Sequence, residues 1–259
     1  MKSFCLIFAI FGCALAVCTD EREPIVNTIR SLVDGDIIQF SACPDVNTNG
    51  VYPLQAVNVT FPPFSVFCDY SVDGKGWIVI HRRLDGSVSF NRNWTDYRDG
   101  FGSLQGEFWL GLEKMHQIIR GGRYQLLVVL QDFYGAVVTA QYDNFTIGCE
   151  MDRYRLEYGE FLNGTVSDSL LNSNGMQFST PDSDNDLDST EPSCAEYYTS
   201  GWWFNACHEA NLNGVYDKYR RSNTMSWYNF YYNHQCLKAA RMMIRFVGEK
   251  KYYGRSMQH

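Results

Sequence analysis

The residues predict an α+β domain, mostly strand with a few helices, that gives way to a long loop-dominated stretch. Three observations carry this. Apolar runs of strand length recur at Trp77-Ile78-Val79-Ile80, at Tyr124–Leu130 and at Lys238–Phe246. Leu112, Met115, Ile118 and Ile119 repeat instead at helical spacing, and Gly121-Gly122 stops that helix. Residues 163–235 mix Asn, Ser, Asp, Gly and aromatic residues with little periodicity, which predicts loops.

The remaining elements follow from local pattern. Asp73-Gly74-Lys75-Gly76 is a turn feeding the strand at Trp77. Tyr154, Leu156 and Tyr158 alternate with Arg155 and Glu157, which predicts a half-exposed strand. Ahead of Cys43, Ile25, Ile29, Leu32 and Val33 make about one heptad, and a coiled coil needs about three or four. There is no Gly-x-y tract and no internal repeat.

At 259 residues the chain is long enough for one or two domains of about 150 residues. A hydrophobic share of 45% is sufficient to bury a core. Lys+Arg 22 against Asp+Glu 29 gives a net charge of −7, which argues against partners held by phosphate or an anionic membrane.

Lys2 followed by the apolar run Phe4–Val17 has the form of a secretory leader, too short for a membrane span. Ala14-Leu15-Ala16 fits a cleavage site, with a cut after Cys18 as an alternative. No later apolar run approaches the ~18 residues of a span. The expected organisation is therefore a signal peptide over 1–16, a short lead-in over 17–42, a globular domain over 43–247 and a tail over 248–259. Sequons at Asn58, Asn93, Asn144 and Asn163 would be glycosylation acceptors on that extracellular route.

Nine cysteines without metal-binding spacing also point to an oxidising compartment. Cys5 and Cys13 leave with the leader. A cut after Ala16 leaves Cys18 and an odd set, implying a free or intermolecular thiol; a cut after Cys18 leaves an even set. Cys43 with Cys68, and Cys194 with Cys207, are close enough in sequence to be local staples of about 3 kcal/mol each. No Cys-x-x-Cys pair is present, which disfavours zinc and thioredoxin chemistry.

Catalytic motifs are missing too. His81, His116, His208, His234 and His259 have no zinc-hydrolase spacing, and there is no Gly-x-Ser-x-Gly elbow. Asp85, Glu107 and Glu113 read as structural carboxylates. The expectation is a non-enzyme.

Longer motifs in order then carry a resemblance. They are Phe67-Cys68-Asp69, the run Gly76–Ser87, Phe90-x-Arg92-x-Trp94, Tyr97-x-x-Gly100-Phe101-Gly102 and Gly106-Glu107-Phe108-Trp109-Leu110-Gly111. Downstream follow Asp184-Asn185-Asp186, Cys194-Ala195, Gly201-Trp202-Trp203, Cys207-His208 and Asn211-Leu212-Asn213-Gly214-x-Tyr216. Together they resemble the fibrinogen-related domain over roughly residues 43–247. The resemblance implies a central antiparallel sheet with a few helices, a small N-terminal part stapled by Cys43–Cys68, and a loop-rich C-terminal part stapled by Cys194–Cys207. It also implies that the last strand returns to the central sheet. Cys149 and Cys236 fall where the family usually has no cysteine, and a third bridge between them is expected as an alternative to two buried thiols.

From Asp182 to Asp188 a carboxylate stands at every second position. Such spacing can turn oxygens toward a hard cation, and calcium takes about 6–8 of them. Without context the stretch is a solvated acidic loop. It is not an EF-hand, because the sixth residue is Leu187 and the twelfth Ser193. The resemblance implies calcium here: Asp184 and Asp186 match the family's carboxylate ligands, with backbone carbonyls following. The stretch to Cys194 is longer than usual and carries Pro192 where Gly is common, so Asp188 is a third candidate ligand.

In lectin-like members of the family, an acetyl-recognising pocket lies beside the second disulfide. The resemblance places Tyr198 and His208 in its wall and makes the Ala206–Cys207 peptide bond cis. Arg221 and Asn233 depart from the family's other walls, although aromatic Tyr232 is adjacent to Asn233, and Arg221 would favour a more polar or anionic ligand. The neighbouring aromatic residues, Trp202 and Trp203 above all, read as core. The implied function is a secreted, calcium-dependent recognition lectin for acetylated or related surface glycans in innate immunity, with homo-oligomerisation supplying avidity. The alternative is a secreted signalling or adhesion ligand of the angiopoietin-like type, acting through a cell-surface receptor.

Overall fold

The computed structural model describes residues 42–55, 61–219, 222–230 and 236–248, and the backbone alone of residues 5–10 and 13–18. The helical repeat at Ile25–Val33, the sequon Asn58 and the tail beyond 248 lie outside the described residues. Strands β1 (Cys5–Ile10) and β2 (Cys13–Cys18) pair with each other, apart from the main sheet.

Within the domain a short edge strand β3 (Gly50–Leu54) leads through β4 (Phe64–Asp69) to β5 (Trp77–Arg83). After β5 come α1 (Trp94–Asp99), β6 (Phe101–Gly102), β7 (Phe108–Trp109) and α2 (Leu112–Ile119). The hairpin β8 (Arg123–Asp132) and β9 (Val137–Tyr142) follows, then β10 (Thr146–Ile147), β11 (Leu156–Glu157) and β12 (Phe161–Gly164). Among its described residues the loop region carries a 3-10 turn (Leu171–Ser173), α3 (Cys194–Tyr197), β13 (Ala210–Asn211) and β14 (Ser226–Trp227), before the long strand β15 (Leu237–Gly248).

The main sheet runs in the order β12-β9-β8-β15-β5-β4-β3, with β7 on β5 and β6 on β7. Its pairings are antiparallel. The last strand, β15, sits between β8 and β5, placing Met242, Met243 and Ile244 in the core. Central strands covered on both faces lose polar alternation, which is why β5 and β8 read as continuous apolar runs. Beside the sheet, α2 buries Leu112, Met115, Ile118 and Ile119 and packs against α1 and β10.

Two close approaches fix the connections. Asn93 caps α1 by accepting the Asp96 N–H at 2.8 Å. Gly100 ends the helix at φ 95°, and a Cβ there would collide with the Leu110 carbonyl, so only glycine fits.

A buried ion pair joins the sheet to the loop region. Glu107 accepts N–H groups from Leu84 (2.8 Å), Asp85 (3.2 Å), Gly86 (3.0 Å) and Val88 (3.0 Å), with Arg83 Nε at 3.5 Å. Arg83 Nη1 in turn donates to the carbonyls of Leu212 (3.2 Å) and Gly214 (2.8 Å), and its guanidinium lies 3.9 Å from the centre of the Phe90 ring. Burial opposes ionisation of Glu107, but these donors and Arg83 outweigh it and hold the carboxyl below its usual range.

Two expectations are corrected. The strand expected over Tyr154–Tyr158 shrinks to Leu156–Glu157, because Arg153 and Tyr154 take φ values of 51° and 49°, which extended backbone cannot continue. The alternating burial persists, with Tyr154, Leu156 and Tyr158 inside. Cys149 and Cys236 are not joined to each other: Cys149 is disulfide-bonded, whereas Cys236 is a buried free thiol opposite Thr224 Oγ1 at 3.8 Å. Disulfides join Cys43 to Cys68 and Cys194 to Cys207.

Candidate functional site

The loop region is anchored through buried aromatic and amide groups. The Tyr97 hydroxyl donates to Phe90 O (2.6 Å) and accepts the Gly201 N–H (3.1 Å), while Trp203 Nε1 donates to Tyr154 O (2.8 Å). Trp202 and Trp203 are fully buried, as their reading as core requires. On this frame sit two adjacent loops, one acidic and one around the second disulfide.

The acidic loop is shaped by its own turns. Asp184 Oδ1 accepts the Asp186 N–H (3.1 Å), and Asp186 Oδ1 accepts the Asp188 N–H (2.8 Å). Asp186 Oδ2 accepts the Cys194 N–H (2.9 Å), tying the loop to the start of α3. Burial pushes the Asp186 carboxyl upward; the N–H groups of Asp188 and Cys194 oppose this, and the adjacent Asp184 carboxylate adds to it. A cation held against this pair would relieve that repulsion, and Asp184 and Asp186 are carboxylates of the donor type calcium takes, two groups toward the about 6–8 oxygens it needs.

Asp188 behaves differently. Its Oδ1 accepts from Thr190 N (3.0 Å) and Oγ1 (2.9 Å), and its Oδ2 faces Cys207 Sγ at 3.8 Å. Asp188 thus turns toward the Cys194–Cys207 sulfurs, with which it groups within 4.8 Å. Joined in a disulfide, those sulfurs are not thiolate ligands.

Beside it lies the disulfide loop. Ser193 caps α3 by accepting the Glu196 N–H (3.3 Å), and the helix delivers Tyr198 just beyond its end. The Tyr198 ring meets the His208 ring edge to face at 4.4 Å and stacks on buried Phe204 at 6.1 Å. Ala206 is exposed, Cys207 and His208 are half-buried, and the Ala206–Cys207 peptide bond is cis. Burial, with Tyr197 and Asp188 nearby, raises the Tyr198 phenol, so it remains a hydrogen-bond donor through neutral pH.

The two loops are hydrogen-bonded together. Leu187 N–H donates to Asn205 O (2.9 Å), and Asn205 N–H donates to Cys207 O (2.8 Å). The candidate residues Tyr198, Ala206, Cys207 and His208 therefore lie side by side, one loop away from Asp184 and Asp186. Arg221, Tyr232 and Asn233 lie outside the described residues.

Sequence reasoning assigned no role to Asn185, although its Nδ2 donates to Phe178 O (2.8 Å) and Ser183 O (3.2 Å) and so fixes the acidic loop. Nor did it single out Asn205. A carboxamide between two carboxylates was the available signal for the first; the second works through its backbone and leaves none.

Comparison with known proteins places this architecture. Residues 40–247 match the C-terminal globular domain of fibrinogen beta and gamma chains. The chain is 40% identical to angiopoietin-4 of Bos taurus over 218 residues, covering 81% of this chain and 43% of that protein. It is 42% identical to ryncolin-4 of Cerberus rynchops over 198 residues, covering 75% and 55% respectively. The chain thus spans about half the length of these relatives. Among solved structures, lamprey fibrin D-dimer complexed with the peptide ligand Gly-His-Arg-Pro-amide is similar at a TM-score of 0.72 and 31% identity, covering 91% of this chain and 87% of that one.

Proposed function

This protein belongs to the family of C-terminal globular domains found in fibrinogen beta and gamma chains, and on that premise we propose that it is a secreted, non-enzymatic recognition protein. It binds acetylated or related surface glycans, in innate immune surveillance, at the wall formed by Tyr198 and His208. The observation that carries this reading is the edge-to-face Tyr198–His208 pair beside exposed Ala206. The wall offers an apolar ring face for a methyl group and polar groups for an amide, as an acetamido substituent requires. Asp184 and Asp186 would hold calcium, which would steady the acidic loop that the Leu187–Asn205–Cys207 hydrogen bonds tie to this wall.

Secretion is supported by the leader-like N-terminus and the disulfides. No helix among the described residues is long and apolar enough to cross a membrane.

A second reading is a protein-binding signalling or adhesion ligand acting through a cell-surface receptor. It is favoured by the peptide ligand in the fibrin neighbour and by the match to angiopoietin-4. Retention of the full-length protein on immobilised acetylated and non-acetylated sugars, in calcium and then in chelator, separates the two. Acetyl-selective, chelator-sensitive retention is expected. No retention on either sugar, from folded protein, would favour the receptor reading.

A further inference from the structure

Strand β12, Phe161-Leu162-Asn163-Gly164, forms one end of the main sheet, and no strand follows on its outer side among the described residues. All four of its residues are exposed, including Phe161 at 38% and Leu162 at 39%. An edge that shows apolar side chains and unpaired backbone groups invites pairing with another copy unless something blunts it. The opposite edge, β3, carries Pro53, which cannot donate to a further strand. β12 has no proline and no charge, and its one irregularity is a register shift between Phe161 and Asn163.

That strand also carries a sequon. Of the sequons among the described residues, Asn93 lies in a helix cap, Asn144 in a turn at φ 48°, and only Asn163 in a strand. Its two companions are held by the fold. A Cβ on Gly164 would collide with the Thr139 carbonyl. Thr165 donates its N–H to Thr139 O (2.9 Å) and accepts the Thr139 N–H on Oγ1 (2.9 Å). Packing therefore explains Gly164 and Thr165, while Asn163 is exposed at the sheet margin.

We propose that Asn163 carries an N-linked glycan that closes this sheet edge against association with a second copy through β12. The inference rests on the secreted reading. The donor is an oligosaccharide carried on a lipid diphosphate. A bond forms between Asn163 Nδ2 and the first sugar carbon, that carbon's bond to the diphosphate oxygen breaks, and Nδ2 loses one proton as the lipid diphosphate leaves. The attached sugar is hydrated and bulky, and covers the edge that Phe161 and Leu162 leave open.

The test uses the full-length protein secreted from a eukaryotic cell line. Peptide mapping after glycosidase treatment is expected to find Asn163 occupied. In sedimentation, Asn163→Gln should show about twice the wild-type mean mass at equal concentration. Adding Leu162→Lys, a charge on the edge, should restore the wild-type value. Trimming the folded glycoprotein to its first sugar with an endoglycosidase should raise the mass as Asn163→Gln does, independently of how that variant folds. Asn163 bare while Asn93 or Asn144 is occupied would overturn the inference alone, as would Asn163→Gln and the trimmed protein both sedimenting like the wild type. All three bare in the secreted protein would also overturn this inference alone, whereas failure of the protein to reach the medium would overturn the secreted reading, and this inference with it.

Discussion

Replacing Glu107 with Gln removes the charge from a buried carboxylate that four backbone N–H groups and Arg83 share. The variant leaves the Arg83 guanidinium buried without its counter-charge, so the expected loss is about 3–5 kcal/mol, measured by urea unfolding. His81 offers a second test. It is fully buried against Phe90 and Trp109, and burial, with Arg83 adding to it, lowers its pKa to about 3. The unfolded protein takes up a proton near pH 6.5, whereas the folded protein refuses it until about pH 3. Stability is therefore untouched above about pH 6.5 and declines as pH falls toward 3, by up to about 1.4 kcal/mol per unit. His81→Phe should flatten that part of a stability–pH curve; an unchanged slope would assign the titration to another group. Glu107 was legible as a structural carboxylate, though not with these partners, and nothing in the sequence marked His81 as buried. Burial and partner identity come from residues as distant as Leu212 and Gly214, and no local pattern encodes them.

At the scale of elements, the acidic loop and the disulfide loop should act as one unit. Calcium at about a hundredfold its dissociation constant should stabilise the wild type by about 2.7 kcal/mol. Asp184→Asn and Asp186→Asn should lose most of that gain, whereas Asp188→Asn, turned toward the disulfide, should keep it; thermal unfolding with and without calcium checks all three. Cysteine mapping tests another element directly: alkylation in denaturant without reductant should label Cys236 and leave Cys149 unlabelled. The helix Leu112–Ile119 and the strands at Trp77 and Lys238 were legible because their periodicity and stop signals are local. The strand at Tyr154 was overestimated, since alternating burial survives in backbone that left-handed residues keep from extending. The Cys149–Cys236 bridge was misjudged for a related reason: proximity to predicted strands says nothing about which thiols meet.

For the whole molecule, the placement of β15 between β8 and β5 makes the C-terminal strand part of the centre. Truncation after residue 236 should abolish folding, whereas truncation after 248 should leave a folded domain; circular dichroism of the two secreted products checks this. Ordered motifs made this architecture legible over most of the sequence, together with the pairing of Cys194 and Cys207. How the acidic loop is tied to the disulfide loop was not legible, because that tie runs through the backbone of Leu187, Asn205 and Cys207. The central claim is that the Tyr198–His208 wall is the recognition surface. Its most direct measurement is the affinity of wild type, Tyr198→Ala and His208→Ala for an immobilised acetylated sugar in calcium, with thermal unfolding confirming that each is folded. At least about tenfold weaker binding is expected for both variants, equivalent to about 1.4 kcal/mol. Wild-type affinity in both folded variants would contradict that claim.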